Sequence, residues 1–165
     1  MTKKLVILRG NSGSGKSSVA RELQLSMGYG TALIEQDYIR RKLLREKEQP
    51  DKPNIELIKL NAIFALTHDY NVIVEGILRE DYYGDMLRDL IKANGGQAYV
   101  YYFDIPFEET LNRHVTKPNA DEFGETEMRE LYRPRDYLGV RNEQIISGES
   151  TFAMSIERIL HDVNP

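Results

Sequence analysis

The chain has no cysteine among its 165 residues, and that absence removes disulfide scaffolds, zinc ribbons, iron–sulfur clusters and thiol nucleophiles together. Any chemistry runs on oxygen and nitrogen groups. Proline is scarce, with 6 residues against 12 glycines, and 41% of the chain is hydrophobic, which excludes collagen-like repeats and intrinsic disorder. An excess of positive charge is also missing. Lys and Arg total 22 against 26 Asp and Glu, a formal net charge of −4, so no basic field exists to track a nucleic-acid backbone and the expected partner is not a nucleic acid. Long apolar runs are lacking too: Leu5-Val-Ile-Leu8 and Asn71-Val-Ile-Val74 fall far short of the roughly 20 residues of a membrane span. Met1-Thr-Lys-Lys-Leu5 starts like a secretory leader, but its apolar run ends at Arg9-Gly10, and the expectation is a cytoplasmic protein. A chain of this length buries roughly 70% of its unfolded surface, enough for one core without staples, and residues 1–165 are expected to form a single domain.

What is present alternates. Leu5–Leu8 is a short continuous apolar run suited to a central strand covered on both faces. From Lys16, Val19, Ala20, Leu23 and Met27 recur at helical spacing, with Gly28 as a stop. Thr31–Ile34 reads as a second strand, Leu57, Leu60, Ile63, Phe64 and Leu66 as a helix face, and Val72–Val74 as a third strand. Tyr83, Met86, Leu87, Leu90 and Ile91 mark the next helix, Asn94-Gly-Gly96 its end, and Ala98–Phe103 a tyrosine-rich fourth strand. Pro106 suits the first turn of a helix in which Phe107, Leu111 and Val115 stack. Residues 117–140 break the pattern with Asp, Glu, Arg, Pro118 and Pro134 and no apolar stripe, so this stretch is expected to be mobile and exposed. Glu143–Ile146 reads as a fifth strand, and Phe152, Ile156, Ile159, Leu160 and Val163 as a closing helix. Strands alternating with helices predict an α/β fold with a parallel sheet covered on both faces.

The chemistry is concentrated after the first strand. Gly10-Asn11-Ser12-Gly13-Ser14-Gly15-Lys16-Ser17 matches G-x-x-x-x-G-K-[ST] without interruption. Its glycines let backbone N–H groups curl around phosphate oxygens, and the helix from Lys16 through Ser17 and Ser18 adds the positive end of its dipole. The Lys16 ammonium suits the β- and γ-phosphates of ATP, and the Ser17 hydroxyl is a hard oxygen ligand for Mg²⁺.

This motif, near the start of a domain of this size, resembles the P-loop nucleoside- and metabolite-kinase superfamily. Within it the chain is similar to the set that includes chloramphenicol phosphotransferase, zeta-toxin-like kinases and polynucleotide kinase domains. The resemblance implies a three-layer P-loop NTPase fold with a five-stranded parallel sheet and a helical lid, here residues 117–140. It also implies an acid after the second strand that meets the acceptor. Asp37, in Glu35-Gln-Asp37-Tyr-Ile-Arg40-Arg41, is the candidate to orient and deprotonate an acceptor hydroxyl, with Arg40 or Arg41 near an anionic part of the substrate. The alternative is that Asp37 only caps the helix starting at Tyr38. Glu75-Gly76 stands where an Asp is commoner, and Glu75 reaches Mg²⁺ through water, holds substrate, or is a structural acceptor. Arg79 is either within substrate reach or a solvated helix-start arginine. Of the lid arginines Arg113, Arg129, Arg133 and Arg135, Arg113 is the candidate to neutralise the transferring phosphoryl group, against a surface role for each. His68, His114 and His161 lack metal spacing.

The function implied is transfer of the γ-phosphoryl of ATP, with Mg²⁺, to a hydroxyl of a small molecule. No N-K-x-D or T-K-x-D sequence supports a guanine switch. A polynucleotide 5′-hydroxyl kinase, with a groove of Arg40, Arg41 and Arg79, is one alternative. An ATP-binding regulatory module, with Tyr82, Tyr83, Tyr99, Tyr101 and Tyr102 as an interface, is another; strand and core packing is the plainer role for these tyrosines.

Overall fold

The structure is a computed structural model and describes residues 3–117, 120–122 and 124–165. Pro118, within the expected lid, lies outside the described residues. Five parallel strands run β1 (Leu5–Gly10), β2 (Thr31–Glu35), β3 (Asn71–Gly76), β4 (Tyr99–Asp104) and β5 (Glu143–Ser147), ordered β2-β3-β1-β4-β5 across the sheet. As expected, β1 is central. It pairs Leu8 with Glu75 of β3 and with Tyr101 of β4.

Alternation along β1 divides the core. Leu5 and Ile7 face one layer, made by α2 (Pro53–Thr67) and α3 (Glu80–Ala93), while Val6 and Leu8 face the other, made by α1 (Lys16–Met27) and α6 (Phe152–Val163). The run reads as continuously apolar because both faces are covered. Two short helices, α4 (Phe107–His114) and α5 (Glu125–Leu131), stand beyond the carboxyl end of β4, and Tyr38–Leu43 forms a π-helix after β2. Among the described residues no helix is long and apolar enough to cross a membrane.

Three expectations are corrected. On α2 the buried residues are Asn54, Ile58, Ala62 and Ala65, while Leu60 and Phe64 are exposed. The helix is apolar nearly all round, so spacing alone did not single out the face that meets the sheet. On α4 the inner face carries Thr110 and His114, and Val115 is exposed. Small and polar groups are needed there because α4 lies against the glycine loop: a Cβ on Gly13 would sit 2.5 Å from the Thr110 carbonyl oxygen. The stretch expected to be exposed up to residue 140 buries Met128 and Leu138. Its return limb, residues 132–140, is fastened to the sheet by long-range bonds, which sequence spacing does not reveal.

Candidate active site

The loop after β1 takes the shape its glycines permit. Gly13 and Gly15 have φ of 79° and 90°, a left-handed conformation that costs other residues about 1–2 kcal/mol, and α1 begins at Lys16 immediately beyond. The Lys16 ammonium is buried and donates to the Asn11 carbonyl, 3.1 Å away. Burial lowers its pKa and the charge of Lys117 adds to this, while Glu75 and Asp37 oppose it.

The Ser17 hydroxyl donates to Glu75 Oε1 at 2.8 Å. Parallel pairing of β1 with β3 brings the end of β3 level with the start of the loop, Arg9 opposite Gly76. Glu75 is buried and its pKa is raised, chiefly by desolvation, with Lys16 and the Ser17 hydrogen bond pulling the other way. Gly76 is required as a glycine, since a Cβ would approach Gln36 Cβ to 2.6 Å. Gln36 in turn accepts from the Leu78 amide at 2.9 Å and donates to Glu48 at 3.0 Å.

Asp37 begins the π-helix with αR backbone angles and makes no side-chain capping bond. The capping role weighed from the sequence is not what its geometry shows. Its carboxylate is exposed, 3.5 Å from Arg40 and 4.0 Å from Arg41, and it shares a cleft of about 760 Å³ with Ser17, Ser18, Glu35, Arg41, Glu75 and Lys117. The expected residues Ser17, Ser18, Asp37, Arg41 and Glu75 are thus brought together.

Arg40, Arg79 and Arg113 are engaged elsewhere. The Arg40 guanidinium is held by Asp37, by Glu48 at 3.1 Å and by the Glu46 carbonyl. Arg79 makes a two-pronged pair with Asp81, both bonds 2.8 Å, and lies over the Tyr82 ring at 3.8 Å. Arg40, Arg41 and Arg79 therefore form no continuous groove of free cations. Arg113 grips the loop itself, donating to the Ser14 carbonyl at 2.8 Å and to Glu109 at 3.0 Å. It lines a second cleft, of about 340 Å³, with Gly13, Ser18, Thr151 and Phe152. Tyr83, Tyr101 and Tyr102 are buried, as the plainer reading of the tyrosines has it.

Sequence reasoning missed Lys117 and Arg9. Lys117 lines both clefts, and its pKa is lowered by burial against the pull of Asp37 and Glu75. It lies past the end of α4 at His114, so helical spacing from Arg113 gave no signal for it. Arg9 continues the Leu5, Ile7 face of β1 with a fully buried guanidinium that meets the Leu78 and Asp136 carbonyls and the carboxylates of Asp136 and Glu143. A charge in phase with an apolar strand face was its signal.

A family model described as an AAA domain matches residues 5–137. The chain belongs to this family. The matched span runs from the first residue of β1 through the loop, Asp37 and Glu75 to the return limb at Tyr137, so it includes every element of the main cleft. A comparison of this AAA domain with curated proteins finds no match. Among solved structures, the APS kinase of Mycobacterium tuberculosis, determined with AMPPNP and APS, is 16% identical with a TM-score of 0.77, each chain covered to 99%. A gluconokinase from Sinorhizobium meliloti 1021 is 18% identical with a TM-score of 0.63, covering 98% of this chain and 96% of its own. The Deinococcus radiodurans tunicamycin resistance protein gives 18% identity and a TM-score of 0.64 over the same shares. This AAA domain has the three-layer fold of P-loop small-molecule kinases.

Proposed function

We propose that the protein transfers the γ-phosphoryl group of ATP, with Mg²⁺, to a hydroxyl of a small-molecule acceptor. The observation that carries this reading is the single cleft that joins Ser17 and Glu75, at the phosphate loop, to the exposed carboxylate of Asp37. One end of it handles phosphate and the other can take a proton. The similarity to an APS kinase and a gluconokinase supports the same reading.

In this scheme the loop amides and Lys16 hold the phosphates, and the nucleotide base enters the second cleft, between Arg113 and Phe152. The donor set at Ser17 fits Mg²⁺: a hydroxyl and a carboxylate are hard oxygens, and this ion usually takes one or two protein ligands together with phosphate and water. Ser17 would hold it directly and Glu75 through water, and the ion would neutralise charge on the β- and γ-phosphates. Lys117 adds a second ammonium facing Asp37 and Glu75. Asp37 accepts the acceptor's hydroxyl proton as the acceptor oxygen bonds to the γ-phosphorus and the bond from that phosphorus to the β–γ bridging oxygen breaks, releasing ADP, while Arg41 beside it orients the acceptor.

The test is incubation with labelled ATP, Mg²⁺ and pooled hydroxylated metabolites and antibiotics, followed by identification of the labelled product. Asp37→Asn keeps the shape and removes the proton acceptor. We expect turnover to fall by roughly 10²- to 10⁴-fold with ATP affinity nearly unchanged, and Lys16→Ala to lose transfer while keeping a cooperative melt. Full turnover in Asp37→Asn would remove Asp37 from the chemistry.

A further inference from the structure

One residue of the phosphate loop turns its side chain away from the cradle. Asn11 is 7% exposed, and its carboxamide makes a reciprocal pair with the backbone of a single distant residue. Oδ1 accepts from the Arg133 amide at 2.8 Å, and Nδ2 donates to the Arg133 carbonyl at 2.8 Å. The orientation is unambiguous, because the opposite rotamer would set donor against donor and acceptor against acceptor. The pair is the side-chain equivalent of a strand bridge between residues 122 positions apart.

What it holds is the beginning of the return limb. Tyr132 closes α5 with extended angles, φ −65° and ψ 126°, and its hydroxyl donates to the Ile105 carbonyl at 2.7 Å. The Tyr102 hydroxyl donates to the Arg133 carbonyl at 3.2 Å and accepts from the Asp136 amide at 3.1 Å. Arg9 then takes the Asp136 carbonyl and carboxylate. The limb is therefore bonded at residues 132, 133 and 136, whereas α5 before it touches the loop through Met128, whose Cε would lie 3.3 Å from a Cβ on Gly13. The backbone of Asn11 is bonded within the loop: its carbonyl accepts from Lys16 Nζ at 3.1 Å and from the Ser14 amide at 3.2 Å.

We propose that Asn11 is a positioning residue that couples the phosphate loop to α5, gripping Arg133 so that movement of the loop on taking up a triphosphate is passed to α5 through residues 131–133. A displacement of the loop that carries Lys16 displaces Asn11, and two hydrogen bonds pass it to the end of α5. The coupling rests on the nucleotide-binding reading above; the clamp does not.

Hydrogen exchange of the full chain with and without Mg·ATP separates the two. In the wild-type protein ATP should slow exchange in the loop, at Arg133 and in α5. In Asn11→Ala the Arg133 amide should exchange roughly tenfold faster without nucleotide, as expected for one lost hydrogen bond, while β1, β3 and α1 keep their protection. With ATP the variant's loop should still become protected, but α5 should not. A merely structural bond would not produce that split. Asn11→Ser keeps a polar side chain too short to span both Arg133 bonds, should also speed Arg133 exchange, and carries the comparison if Asn11→Ala loses its cooperative melt. Arg133→Ala, which leaves the backbone pair in place but removes the side chain's ion pairs with Asp81 and Asp136, should behave as wild type at α5. Unchanged Arg133 exchange in Asn11→Ala overturns the clamp. Faster Arg133 exchange with full ATP-linked protection of α5 overturns the coupling alone. Absence of any ATP effect in the wild-type loop overturns the nucleotide reading and the coupling with it, and leaves the clamp to be judged on Arg133.

Discussion

Asp81 lies in the first turn of α3, where the helix dipole favours an acid, and the Arg79 fork closes on it from the preceding residue pair. The Arg79 hydrogen bonds hold its carboxyl below the ordinary value of 3.8. A depressed acid contributes stability above its unfolded pKa and loses it as pH falls through the folded one. Asp81→Asn should therefore be less stable than the wild type at neutral pH by at most about 1 kcal/mol, since the pair is solvent-screened. The difference should shrink below pH 3.8, and paired urea melts at pH 7 and pH 3 measure it. The pair also explains why a plausible substrate arginine could not be judged from sequence. Arg79 was legible as a cation near a strand end, but its partner and its stacking on Tyr82 depend on how the chain turns into α3.

At the level of elements, the strands, the helix ends and the buried faces of α1, α3 and α6 were legible, and the faces of α2 and α4 were not. Gly28 does end α1, Asn94 does close α3, and each of the five strands lies where short apolar runs placed it. These features follow from local backbone preferences. The buried faces of α2 and α4 follow from what packs on them. On α2 we expect Ile58→Ala to cost about 2–5 kcal/mol, because Ile58 is fully buried in the core against β2 and β3. Phe64→Ser, at an exposed site on the same helix, should change stability by no more than about 0.5 kcal/mol. Chemical denaturation of the two variants distinguishes the observed face from the one that spacing suggested, for which Phe64 would be the costly position.

On the scale of the whole molecule, Arg9 joins parts that are far apart in the chain. From the central strand it reaches the Leu78 turn, the return limb at Asp136 and the start of β5 at Glu143. Asp136 passes the connection on to the first turn of α3 by accepting from the Glu80 amide at 2.9 Å. Truncation as Arg9→Ala leaves two acids at a buried site without their cation, and we expect a loss of about 3–5 kcal/mol in a urea melt. A loss below about 1 kcal/mol would mean that the acids relax into water and that the limb is not held by this ion pair.

The α/β architecture, the central place of β1 and the phosphate loop were legible along the chain, because each is written in contiguous residues: an apolar run, a glycine pattern, a lysine and serine opening a helix. The sequence also placed Asp37 and Glu75 at the strand ends that face that loop, since parallel strands present their carboxyl ends at one edge. Which cations remain available depends on the folded arrangement. Arg9, Arg40, Arg79 and Arg113 are each engaged by acids or carbonyls, while Lys117 faces the cleft. A guanidinium's partner is chosen by three-dimensional proximity among residues as much as 134 positions apart, and no spacing along the chain encodes that distance.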